Sequence, residues 1–157
     1  NERKRWQGNP EWQATRRAIE LALTTYDWAE AFTAVNLVLA PTLEDVWLRQ
    51  FAELARAHGD EQTWLLLSNL RHDAQRCRRW SAQLVRYALA QRAENAAVLQ
   101  RWIAVWSPRA DAAVEALAPL LVTPTAPPFS ASRICRQARE ARESLWLESG
   151  LVLERSE

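Results

Sequence analysis

Chemistry in this chain would have to come from a short inventory: two histidines, His58 and His72, two cysteines, Cys77 and Cys135, and nineteen acidic residues. Neither histidine has a second His or Cys at metal-ligand spacing. His58 falls at an expected helix C-terminus, where the helix dipole favours an imidazole, and His72 lies between Arg71 and Asp73 on a polar face, so both read as structural. There is no Gly-x-Ser-x-Gly elbow, and neither cysteine has an activating neighbour in sequence. Three glycines leave no phosphate-cradling loop or dinucleotide fingerprint. A carboxylate-bridged metal pair in a helical bundle needs two Glu-x-x-His turns, and that motif does not occur. Glu53 precedes His58 by five positions, which turns the two side chains away from a common metal.

The elements that would carry these residues are helical. Gly is scarce while Ala, Leu, Arg, Glu and Gln recur, a usage that favours long helices over strands and tight turns. With 48% apolar residues the chain can fill a core. Nine tryptophans exceed ordinary usage; some are expected at an interface and the rest between helices. Twenty basic against nineteen acidic residues give a formal charge of +1, too little field to imply nucleic acid or an anionic membrane. The arginines of 71–86 and Arg133, Arg136, Arg139 and Arg142 alternate with acids or face away from apolar stripes, so they read as solvated or partner-facing rows. Charges interrupt every apolar run before the roughly 20 residues that a membrane span needs. Two distant cysteines and no signal peptide fit reduced thiols and a cytoplasmic location. With no Met and a start inside a charged run, the chain reads as a fragment of a longer one.

Pro10 suits a first helical position, and the helix it opens should end at Thr24 to Tyr26. Asp27 caps a second, Trp28 to Ala40, whose faces are almost all apolar. Pro41 should kink or stop it, with Thr42 and Asp45 as a capping box restarting the run to Ala57, and Gly59 ending it. Asp60 caps the longest helix, Glu61 to Gln91, on the order of 45 Å long. Its expected buried stripe is Leu66, Leu70, Ala74, Cys77, Ser81, Leu84 and Ala88. Glu94 to Trp106 forms the next helix, and Ser107-Pro108 should cap another to Ala118. The spacing thus predicts a helical bundle segment over 10–121, a Pro-rich linker over 122–130 and a C-terminal amphipathic helix over 131–150, marked by Ile134, Ala138, Ala141 and Leu145.

Tyr26-Asp27-Trp28-Ala29-Glu30-Ala31-Phe32, then Val35-Asn36-Leu37-Val38 and Pro41, resembles a signature of β subunits of the phenol, toluene and propane type diiron monooxygenases. Phe51 to Ala57, Gly59-Asp60-Glu61, Arg79-Trp80 and Ala97 to Trp102 extend the resemblance over most of Trp6 to Leu121. It implies an all-α, ferritin-like bundle, of which this chain would be the C-terminal half, with long antiparallel helices and a C-terminal helical arm. It also implies a hydroxylase in which a partner α subunit alone holds two irons, this chain holding no cofactor. A small third subunit, a reductase and a regulatory protein would act with the complex to oxidise aromatic, alkane or alkene substrates with O2. Aligned on the Gly-Asp-Glu turn shared with α, Ala74 falls where α has the Glu of its second Glu-x-x-His, and Cys77 where α has the His. On this resemblance the chain is a non-catalytic structural subunit, with Ala74 and Cys77 as degenerate metal positions and Glu30 as a hydrogen-bonded buried carboxylate. The alternatives are an unrelated helical adaptor, or a divergent diiron enzyme using Glu30, Glu53 and Glu61.

Overall fold

The computed structural model describes residues 2–122 and 129–151. Among these it is helical, with no strand. A short helix α1, Glu2–Gly8, leads into α2, Pro10–Thr24, with Pro10 at the first helical position as its fixed φ favours. α2 buries small residues, Thr15, Ala18 and Ala22, and so lies closely against the later helix α5, Asn95–Leu117. Asp27 accepts from the amides of Ala29 and Glu30 and so caps α3, Trp28–Ala57.

α3 does not stop at Pro41. It is continuous because it is under-wound, with π-helical segments at Thr33–Leu39 and Asp45–Gln50 around the proline. Thr42 is therefore not a cap: its hydroxyl donates back to the Val38 carbonyl at 2.6 Å, as Thr33 does to Ala29 at 2.8 Å. The buried pairs Thr33/Ala34, Leu37/Val38, Pro41/Thr42 and Asp45/Val46 recur every four residues, and Gln50 follows five after Asp45. That spacing is longer than the 3.6 of a regular helix. By length and composition α3 could cross a membrane, yet half of its apolar window is buried inside the protein and Asp45 and Gln50 are hydrogen-bonded there. It is the central helix of the bundle.

His58 and Gly59, the latter at φ 80°, end α3, and Asp60 caps α4, Glu61–Gln91, by accepting from the Thr63 amide at 2.9 Å. Hydrogen bonding from the Thr63 side chain, and then from its amide, holds the Asp60 carboxyl below its ordinary pKa. α5 runs straight through Ser107-Pro108, which the sequence reading placed at a helix boundary. The Arg109 guanidinium folds back onto the Val105 carbonyl beside the proline. A single 3₁₀ turn, Ala118–Leu121, closes it. The Thr123–Pro128 stretch lies outside the described residues. Ser130 then caps α6, Ala131–Glu148, which ends near Gly150 as its positive φ suits. α6 packs into the bundle through Ile134, Ala138, Leu145 and Trp146, touching α3, α4 and α5.

Among the described residues, two apolar clusters result. One gathers Ala18, Ala22, Leu37, Val38, Val85, Ile103, Trp106 and Trp146; the other gathers Val46, Leu54, Val114, Leu121, Phe129, Ile134 and Ala138. α4 feeds the first through Ala82 and Val85, with Ser81 buried beside them in sequence. This corrects the expected stripe: Leu66, Leu70 and Cys77 are exposed, and Ala74, Leu84 and Ala88 only half-buried. The reason is that α4 is apolar on two faces. Periodicity finds both but cannot say which one this chain covers.

Candidate functional site

The sequence singles out carboxylates on α3 and α4 together with Ala74 and Cys77. Glu30, half-buried on the first turn of α3, accepts from the indole N–H of the buried Trp106 at 3.1 Å. Its place as a hydrogen-bonded carboxylate needs no metal. Glu53 is exposed on α3 and pairs with Arg49 at 3.1 Å. Glu61 lies exposed on the first turn of α4. The three are thus each engaged elsewhere or solvated, and among the described residues no group of three or more His, Cys, Asp and Glu could hold a metal ion.

Cys77 is exposed and Ala74 half-buried on the middle of α4. Alanine has no side-chain donor atom, and among the described residues Cys77 belongs to no group of three or more residues that could hold a metal ion. These residues therefore do not fit a pair of irons. His72 is solvent-exposed on the same helix, and His58 hydrogen-bonds the Leu54 carbonyl at the end of α3. Both histidines are in the structural settings their sequence positions indicate.

The polar groups that the fold does bring together are of another kind. The Asp45 carboxylate, buried in α3, takes a two-pronged contact from Arg49 at 2.6 and 2.8 Å and a third bond from Gln50 at 2.8 Å. Burial alone would lower the Arg49 pKa, but bonding and charge from Asp45, with help from Glu53, carry it above its ordinary value. Gln50 also donates to the Ile134 carbonyl of α6 at 3.1 Å. Arg142, buried on α6, grips Asp111 of α5 at 2.7 and 3.2 Å and lies 5.5 Å from the Trp146 ring centroid. The sequence reading missed this: Arg142 belongs to a row taken as solvated or partner-facing, and only Arg136 and Arg139 are exposed as such a row requires. The available signal was Ala138, Arg142 and Leu145 falling on one stripe of α6. Arg78, too, is drawn in, bonding Glu44 at 2.9 Å and the Pro41 carbonyl at 3.2 Å.

On the other side of α4 lies an uncovered apolar surface. Leu66, Leu70, Cys77, Trp80 and Tyr87 are exposed at alternating steps that fit a heptad, with Asp73 and the half-buried Leu84 at the remaining positions. Leu84 continues into a cleft lined by Trp28, Phe32, Ala88 and Leu99, and Phe32 meets Trp80 edge-on at 6.1 Å. Tyr26 and Trp28 are also exposed at the start of α3. These residues form an exposed, largely apolar surface.

Residues 1–92 match the family described as methane/phenol/alkene hydroxylase. The chain belongs to that family. It is 38% identical over 121 residues to the hydroxylase component β subunit of the toluene-4-monooxygenase system of Ectopseudomonas mendocina, a match covering 77% of this chain and 37% of that one. It is 32% identical to an oxygenase component of phenol 2-monooxygenase from Pseudomonas sp. strain CF600, over 73% of this chain and 34% of the relative. The hydroxylase small subunit of propane 2-monooxygenase from Mycolicibacterium goodii is 30% identical over 76% of this chain and 33% of its own. The fold superposes on a chain of toluene 4-monooxygenase, solved with toluene in its resting active site, with a TM-score of 0.73 at 38% identity. That superposition covers 76% of this chain and 40% of the other. The chain thus spans little more than a third of the length of the curated relatives it matches.

Proposed function

We propose that this chain is a non-catalytic, β-type part of a diiron monooxygenase hydroxylase, and that it stabilises the iron-bearing α subunit on which an apolar substrate is oxidised with O2. The observation that carries this reading is the family match over residues 1–92 in a chain whose described residues bring together no group of three or more side chains that could hold a metal ion; the resemblance would place Ala74 and Cys77 where an iron-binding relative has Glu and His. On that resemblance, such a chain would work beside one that kept the ligands. The exposed stripe from Leu66 to Tyr87 supports the same reading, because apolar side chains left in water at heptad spacing, interrupted here at Asp73, are the usual mark of a helix that packs against another. On this reading the iron, the substrate pocket and the choice of hydrocarbon all belong to α. The reductase, the regulatory protein and a small third subunit act on the assembly, in the cytoplasm. Within the chain, 10–121 would be the docking bundle, joined through 122–130 to the helical piece 131–150.

Co-expression with a diiron chain bearing two Glu-x-x-His motifs tests it. The two should co-elute, with iron in the complex and none in the isolated chain, and alkylation of Cys77 should slow markedly in the complex. Near-stoichiometric iron in the isolated chain, or failure to co-elute, overturns the proposal. Co-elution with Cys77 still fully reactive places the contact on another face.

A further inference from the structure

α3 passes through Pro41, although proline has no N–H for the carbonyl four residues back and its ring crowds the preceding turn. That carbonyl belongs to Leu37. It accepts a hydrogen bond of 2.7 Å from the indole N–H of Trp146, which reaches it from α6 through the buried core. Further along, Gln50 donates to the Ile134 carbonyl at 3.1 Å and Arg49 to the Gln137 side chain at 3.3 Å, both again on α6. Leu37 lies inside the first π segment of α3, and Arg49 and Gln50 lie inside the second. Each polar tie from α6 therefore lands where α3 departs from regular helical winding.

We propose that α6 is a clamp that holds α3 in its under-wound register, so that docking of α6 and the faces α3 presents are coupled. Winding decides which side chains point inward, since each residue gained or lost per turn rotates all later ones by about 100°. In the clamped form Asp45 and Gln50 are buried while Trp28 and Val35 are exposed. Release of α6 would leave the Leu37 carbonyl and the Gln50 amide without these partners, and α3 would relax at Pro41.

Hydrogen exchange read by mass spectrometry on the full chain tests the clamp through a double-substitution cycle. Trp146→Phe keeps an aromatic ring and removes the donor, and amides over 38–46 should then exchange about tenfold faster, the worth of one buried hydrogen bond. Pro41→Ala restores a backbone N–H that can serve Leu37, so in that background the same Trp146→Phe change should have little effect. Leu145→Ala, which loosens the packing of α6 without touching the bond, should accelerate exchange equally with the proline present or substituted. The proposal fails if Trp146→Phe leaves exchange over 38–46 unchanged. It also fails if its effect is the same size in both backgrounds, since Trp146 would then act by packing alone.

Discussion

Arg142 shows how much a single side chain can depend on its partner. Its guanidinium is almost wholly out of water, its Nε has no hydrogen-bond partner among the described residues, and Asp111 supplies its counter-charge through two bonds. Removing one member of a buried pair strands the other, which costs far more than losing a surface contact. Asp111→Ala is therefore expected to lower stability by about 3 kcal/mol in urea unfolding. The exposed Asp73–Arg76 pair on α4 is the contrast, and Asp73→Ala should change stability by less than about 1 kcal/mol. Equal losses at the two sites would show that Arg142 finds another partner or water. Sequence alone could not rank these pairs, because an arginine in an amphipathic helix looks the same whether its head group snorkels out or meets an acid from another helix.

Helices were legible in the sequence wherever their ends are written in local chemistry. Asp27, Asp60 and Ser130 cap as their types dictate, and Gly59 and Gly150 take the positive φ that ends a helix. Pro41 and Pro108 misled, because a proline's local cost is visible in sequence while its remedies are distant: the Trp146 donor for one, and a continuous helix packed along α2 for the other. The buried face of α3 was likewise obscured, since its four- and five-residue steps follow no 3.6-residue wheel. The Asp60 cap carries a pH dependence that can be measured. Its carboxyl is held below the usual range chiefly by bonding to Thr63, so its contribution is complete above the unfolded carboxylate pKa and fades as pH falls through the lower folded value. Asp60→Asn, which caps without charge, should flatten the acid limb of the stability curve, whereas Asp60→Ala should also lower the melting temperature at neutral pH. An unchanged acid limb in Asp60→Asn would show that other carboxylates set it.

For the molecule as a whole, the unresolved tension is between a well-filled interior and an apolar outer surface. α4 belongs to both: Ser81, Ala82 and Val85 face the core, while Leu66, Leu70, Trp80 and Tyr87 face away from it. A helix with two apolar faces leaves one of them in water unless something lies on it, and such an exposed patch marks an interaction site. The positions that the resemblance marks as degenerate, Ala74 and Cys77, lie on this helix, and periodicity picked out their stripe without the direction in which it points, because both apolar faces carry the same spacing. If the outer face serves a partner chain, its residues should matter for assembly and not for folding. Leu66→Gln with Leu70→Gln replaces two side chains that are 61% and 46% exposed in this chain. The double variant should keep its helical circular dichroism and its unfolding midpoint, gain solubility when expressed alone, and fail to co-purify with a diiron α chain. If it unfolds instead, the stripe is covered within this chain's own fold; if it still assembles with α at undiminished yield, the partner binds elsewhere, with the exposed Tyr26 and Trp28 at the opening of α3 the next surface to substitute.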